Sequence, residues 1–201
     1  MSTKTSFRLA VGDHFHIYNR GVRKSAIFDS ERNYIYFLYK VRLALTFGDV
    51  GIVCFCLMPN HFHFLLQQRK EDGVARFMKR VCDGYAKALN KQRRLTGHVF
   101  ESKYKMKLID SVEYLVWLSR YIHRNPKEAG LAKHNRDWKF SSYNDFVGSR
   151  PYDYVDPEIV LSQFPTVNDY ELYVEDEIAK KPKGIEKALF TEGLDDRQPS
   201  R

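Results

Sequence analysis

Cysteine is scarce. Only Cys54, Cys56 and Cys82 occur among 201 residues. An odd number cannot all pair within one chain, and no apolar signal segment follows Met1, so the expectation is a cytoplasmic protein with free thiols rather than a disulfide scaffold. Long apolar runs are missing too. No uninterrupted stretch approaches the ~20 residues that a membrane span requires, which argues against a membrane protein. Internal repeats are absent. Acidic side chains are in deficit, 25 against 33 Lys and Arg, for a formal net charge of +8. That imbalance favours a polyanionic partner, because cations that neutralise phosphates release condensed counterions.

What the chain does have is core-forming material: 43% hydrophobic and 14% aromatic residues. One catalytic domain over residues 1–150 is expected, with a C-terminal extension over 151–201. The polar stretch from about Lys180 on suggests that the extension is partly mobile. His14 to Tyr18 suits a strand, broken by Asn19, Arg20 and Gly21. Asp29 or Ser30 can cap a helix in which Tyr34, Phe37, Leu38, Val41 and Leu45 recur at helical spacing, with Gly48 as its stop. Val50 to Met58 and His61 to Gln67 read as a hairpin turning at Pro59 and Asn60. From Asp72 to about Leu95 an apolar stripe (Val74, Phe77, Val81, Tyr85, Ala88, Leu89) opposes Arg76, Arg80, Lys87, Lys91 and Arg94, marking a basic amphipathic helix. Phe100 to Ile109 alternates, with Lys103, Lys105 and Lys107 on one side and Tyr104, Met106 and Leu108 on the other. Asp110 with Glu113 can form a capping box for a helix that should end near Asn125, since Pro126 disfavours continuation. The sum is an α+β domain, a ferredoxin-like antiparallel sheet with helices packed on it.

Two residue pairs could carry chemistry. His61 and His63, two apart on a strand, leave the same face with Cα atoms about 6.6 Å apart. Their imidazoles can converge on one divalent ion, with a nucleic-acid phosphate supplying the hard oxygen ligand that Mg²⁺ or Mn²⁺ prefers. Tyr121 and Asn125, four apart on a helix, share a face. A phenol whose free pKa is near 10 can attack phosphorus if a metal withdraws charge from the phosphate, and the Asn125 amide oxygen can act as a third ligand. Each pair alone has a plain alternative, as hydrogen-bonded strand histidines, a core tyrosine and a helix-stop asparagine. Cys54 and Cys56 raise the idea of zinc, but they precede the turn and suit a buried strand better. The candidate DNA-binding cations are Arg20, Arg76, Arg80, Lys87, Lys103, Lys105, Arg120 and Arg124, a pattern suited to a groove that tracks a phosphate backbone.

Several ordered blocks go further: Tyr18-Asn19-Arg20-Gly21, then Leu57-Met58-Pro59-Asn60-His61-Phe62-His63, then Tyr121-Ile122-His123-Arg124-Asn125-Pro126 with Ala129-Gly130-Leu131, then Trp138 with Ser141-Ser142-Tyr143. Together they resemble the single-tyrosine HUH transposases of insertion sequences, and most closely the REP-associated tyrosine transposase branch. The resemblance spans about three quarters of the chain and is far more specific than either pair alone. It implies His61 and His63 as the metal-binding pair, Tyr121 as nucleophile and Asn125 as the third polar ligand. It further implies Mg or Mn as cofactor and hairpin-forming single-stranded DNA of the REP palindrome type as substrate. Cleavage would leave a 5′-phosphotyrosine and a free 3′-OH. Relatives act as homodimers that exchange the tyrosine helix, or as monomers. Lys127 departs from the apolar residue common after the Pro, and the chain from Asp153 on matches no block of the family. Competing readings are a catalytically silent hairpin-binding protein and a metal-dependent nuclease or phosphoesterase that uses water as nucleophile.

Overall fold

The computed structural model describes residues 10–148 and 152–177. Strands β1 (His14–Arg20), β2 (Val50–Met58), β3 (His61–Gln68) and β4 (Lys105–Ile109) form one antiparallel sheet in the order β2-β3-β1-β4. Helix α1 (Glu31–Leu45) connects β1 to β2, and α2 (Gly73–Arg93) connects β3 to β4. This is the ferredoxin-like β-α-β-β-α-β arrangement anticipated from the sequence, followed by α3 (Val112–Glu128) and the short helices α4 (Tyr143–Phe146), α5 (Glu158–Leu161) and α6 (Val167–Glu175).

The sheet separates two cores. On one face Phe15, Ile17, Phe62, Phe64 and Leu66 meet Tyr34, Phe37 and Val41 of α1 and Val74, Phe77, Val81 and Tyr85 of α2. On the other, Cys54, Cys56, Met58 and Leu65 meet Leu115, Leu118 and Ile122 of α3. Strand β2 is buried along its whole length, which accounts for its continuous apolar run rather than an alternating one. Pro59 and Asn60 make the tight turn to β3.

Four local readings are revised. First, β1 does not break at Asn19 but runs through Arg20. The chain turns at Gly21, where an added Cβ would lie 2.0 Å from the Ser25 carbonyl oxygen, so this position requires glycine. Second, β4 starts at Lys105 instead of Phe100. Before it, Phe100 makes a lone bridge to Gly21 and Glu101 N donates to Arg20 O (3.1 Å), and side chains add Asn19 Nδ2 to Ser102 O (3.0 Å) and Arg20 Nε to Glu101 Oε2 (2.5 Å). Third, the cap of α3 is Ser111, whose hydroxyl accepts from Tyr114 N (3.2 Å), and not an Asp110–Glu113 box. Fourth, α3 continues through Pro126 to Glu128. A proline this close to the C-terminus removes a single helical bond, and its ring is buried, so packing outweighs the local preference. The stop comes at Gly130, with φ +69°.

The block from Trp138 to Tyr143 covers the edge of β2. Trp138 Nε1 donates to Leu57 O (2.9 Å), Leu57 N to Phe140 O (2.9 Å), and Ser142 N to Phe55 O (3.0 Å). An edge strand that would otherwise offer unpaired backbone groups is thereby satisfied. Within the proposed extension, Tyr152 and Tyr154 pack on Phe55 of the α1–α2 core, whereas α5 and α6 pack on the same side as α3; the stretch from Lys180 on lies outside the described residues. Arg120 Nε donates to Tyr173 O (2.8 Å) and its Nη2 to Asp176 O; Arg124 Nη1 donates to Val174 O (2.7 Å) and its Nε to Glu128 Oε1 (2.8 Å). Both arginines are 7% exposed. The expectation that they line a nucleic-acid groove is therefore corrected: their guanidinium groups tie α3 to the end of α6. His123 joins this clamp, with Nδ1 2.8 Å from Tyr170 Oη and Nε2 3.0 Å from Ser142 Oγ.

Two expectations about stability follow. Arg124→Ala leaves the Val174 carbonyl without its donor, and denaturant unfolding should register a loss of about 1–3 kcal/mol. Burial holds the His123 pKa down at about 3, against an ordinary value of 6.5. The groups facing it are Tyr170, Tyr143, Phe146 and Ser142, none charged at neutral pH. As the unfolded chain takes up this proton first, the associated stability is present above pH 6.5 and is lost as pH falls toward 3. Unfolding free energies of His123→Gln, measured between pH 6 and 4, should fall less steeply than those of the wild type, by about 1.4 kcal/mol per pH unit; an unchanged slope would exclude His123 as the source.

Candidate active site

Strand alternation and register assemble the site. In the β1–β3 pairing Tyr18 stands opposite His63, Arg20 opposite His61 and His16 opposite Leu65. Residues opposite each other share a face, so His16, Tyr18, Arg20, His61 and His63 all project toward α3. Strand β4 adds Lys105 opposite Tyr18 and Lys107 opposite His16. The His61 and His63 ring centroids lie 5.1 Å apart at 82°.

Each imidazole has a neighbour that orients it. Asn60 Nδ2 donates to Lys24 O (3.3 Å), which turns the amide oxygen toward His61; Asn60 Oδ1 lies 2.6 Å from His61 Nδ1. An acceptor at that distance requires the proton on Nδ1 and puts the ring's lone pair on Nε2. His63 Nδ1 lies 3.0 Å from His16 Nε2, with both rings buried. Burial, then the neighbouring His61 and His16, drive the His63 pKa well below its ordinary value, and burial with Lys107 lowers that of His16 to about 3. Both are thus neutral at physiological pH, the form in which imidazole binds a metal.

Helix α3 brings Tyr121 over this pair. Its ring centroid is 5.6 Å from that of His63, edge to face, and 5.6 Å from that of Trp117, nearly parallel. The phenol is half-buried between them rather than sealed in the core. One turn on, Asn125 Nδ2 donates to Tyr121 O (2.7 Å), a bond that does not use the amide Oδ1. His61, His63 and Tyr121, predicted from separate stretches, thus come together, with Asn125 one turn beyond Tyr121 on the same helix. The donor set, two imidazoles and an amide oxygen, fits a divalent ion that takes its remaining ligands from phosphate and water. Among the described residues no group of three or more His, Cys, Asp or Glu side chains is placed to hold one ion, so a closed zinc site is not what this set fits. Cys54 and Cys56 are fully buried in β2, with thiol pKa values pushed upward by desolvation.

The predicted cations do not form one groove. Arg20 and Lys105 share the histidine face, joined by Lys107. Arg76 and Arg80 lie on α2, across the sheet, where both bind the buried carboxylate of Asp49 (Arg76 Nη2 to Oδ1, 2.8 Å). Those two guanidinium groups are held by an internal partner, and Lys87 is exposed on the same helix away from the histidines. Lys103 stands on the rim of a half-open groove of about 620 Å³ between α2 and residues 97–104, also across the sheet from the imidazoles. Sequence reasoning did not single out His16, Tyr18 or Lys107 as site residues. The alternation His14, His16, Tyr18, Arg20 carried the signal, but it becomes informative only once β1 is known to lie beside β3.

Among the described residues no helix is long and apolar enough to cross a membrane. No protein of curated function matches the chain. Among solved structures, a REP-associated tyrosine transposase bound to a REP hairpin superposes with a TM-score of 0.57 at 16% identity, over 78% of this chain and 98% of that one. A candidate transposase from Deinococcus radiodurans R1 aligns over 62% of this chain and 97% of that one, at 15% identity and a TM-score of 0.42, too low to speak for a shared fold. The family of IS200-like transposases matches residues 12–125, a span that begins just before β1 and closes on Asn125. With that match over more than half its length, the chain belongs to the IS200-like transposases and is a DNA-cleaving enzyme.

Proposed function

We propose that this transposase is a metal-dependent single-stranded DNA endonuclease and strand transferase that works through a 5′-phosphotyrosine on Tyr121, acting on hairpin DNA of the REP palindrome type. The observation that carries the reading is the approach of the Tyr121 ring to 5.6 Å from His63, which itself neighbours His61 on the same face. The hairpin bound by the solved REP-associated relative supports the choice of substrate.

His61 and His63, through Nε2, and Asn125, through Oδ1, would hold Mg²⁺ or Mn²⁺. Such an ion, when bound, withdraws charge from the scissile phosphate and stabilises the departing oxygen. Tyr121 Oη attacks phosphorus; the new P–O bond forms as the bond to the 3′ oxygen breaks. The phenolic proton leaves to water, and the released 3′ oxygen takes one up to become a hydroxyl. Since the phosphodiester energy is kept in the tyrosine ester, the reverse attack by a 3′-OH rejoins strands without a nucleotide cofactor. Lys105 and Lys107, on the same face, are placed to neutralise the phosphates flanking the scissile one, while Arg20 beside them is paired with Glu101.

Incubation with 5′-labelled and 3′-labelled REP-type hairpins and Mn²⁺ should give a covalent protein–DNA adduct on the strand 3′ of the cut. Tyr121→Phe should abolish it while retaining DNA binding; efficient cleavage by that variant would instead identify water as the nucleophile, and tight binding without adduct under any divalent metal a silent binder. For the basic face, Lys105→Ala should leave the Tm unchanged and reduce the salt dependence of single-strand affinity by about 0.7 in log–log slope, one phosphate contact. An unaltered slope would remove Lys105 from the interface.

A further inference from the structure

We infer that His16 is a positioning residue: its Nε2 accepts the Nδ1 proton of His63 and thereby holds His63 in the tautomer that offers a lone pair at Nε2. The inference rests on the reading of His63 as a metal ligand.

The geometry leaves two arrangements. His16 Nε2 and His63 Nδ1 are 3.0 Å apart, so one proton lies between them. If His16 donates it, neutral His63 carries its own proton on Nε2 and cannot ligate through that atom. If His63 donates it, Nε2 is bare, and no protein group bonds that nitrogen among the described residues. Only the second arrangement is compatible with an ion on the His61–Tyr121 side. The partner of His61 works in the same way, since Asn60 Oδ1 can only accept and so leaves His61 Nε2 unprotonated. Two neighbouring ligands would thus be set by two different acceptors, one an amide and one an imidazole.

The rest of His16 argues that it is there for His63. It is 0% exposed, stacks on His63 with centroids 5.2 Å apart, and its Nδ1 has no hydrogen-bond partner among the described residues. An apolar side chain would fill the same volume between Tyr18 and His63 without burying an orphaned nitrogen. Among the described residues the single hydrogen bond of the His16 side chain is the one to His63.

The test uses the full chain carrying His16→Phe or His16→Gln, with Mn²⁺ affinity read by paramagnetic resonance titration in the absence of DNA. Phe keeps an aromatic ring but accepts nothing; the Gln Oε1 reaches the position of the imidazole Nε2 and accepts from His63 Nδ1. Loss of an orienting partner typically weakens a metal site 10–100-fold, which is the drop expected for His16→Phe, with His16→Gln recovering most of it. Wild-type affinity in His16→Phe, or an equal loss in both variants, would overturn the proposal. Nitrogen-15 chemical shifts of the wild-type, metal-free protein supply an arm that needs no variant to fold. They should show His63 protonated on Nδ1, and a proton on Nε2 instead would refute it. A wild type that binds no Mn²⁺ while His63 carries its proton on Nδ1 would sink the metal reading and leave the His16 acceptor role standing.

Discussion

The antiparallel register of β3 against β1 is the constraint on which the site depends. Side chains on a strand alternate with period two, so Phe62 and Phe64 enter the α1–α2 core only if His61, His63 and Leu65 face α3. A slip of one residue would bury both imidazoles among the aromatic rings and turn two phenylalanines toward Tyr121. The apolar core thus enforces the register: several buried rings on one face decide where two histidines stand on the other. The same pairing brings His16 and Tyr18 beside His63 and sets the lysines of β4 on the substrate side.

Positive charge is divided between two uses that composition does not separate. A surplus of cations suggests an extended basic groove, yet several arginines neutralise internal acceptors. Arg76 and Arg80 close on Asp49, whose carboxyl they hold below its usual pKa against the opposing effect of burial. Arg120 and Arg124 serve backbone carbonyls of α6. A guanidinium donor directed at a buried oxygen can turn to a phosphate only by exposing that oxygen, a loss that outweighs a solvent-screened contact. The lysines near the histidines are fewer, and they lie on β4.

What was legible in the chain follows from how local each cause is. The hairpin at Pro59 and Asn60, the stripes of α1 and α2 and the shared face of His61 and His63 are all set by neighbours in sequence, and they were read correctly. Readings failed where distant contacts decide. Pro126 stands within α3 because its ring is buried, not because of its flanking residues. The strand expected from Phe100 is interrupted after the Gly21–Phe100 bridge, where the side chains of Arg20 and Asn19, some 80 positions away, take up Glu101 and Ser102. The fate of Arg120 and Arg124 depends on where residues 173–176 pack, which no pattern around Tyr121 reveals.

That packing bears on chemistry. A nucleophile aligned on phosphorus loses rate steeply with misplacement, of order 10²-fold for an error near 1 Å. Tyr121 is carried by a helix whose inner side is fixed to the sheet by Leu115, Leu118 and Ile122. Its outer side would be free to rock on that apolar contact alone, because dispersion is non-directional. Arg120, His123 and Arg124 flank Tyr121 in sequence and carry directional bonds to α6 and to Ser142, fixing the helix's rotation as well as its height. On the proposed reading, residues that look like a DNA-binding cluster around the tyrosine act on the reaction from behind: they determine where the phenol points, while the histidine face determines what it meets.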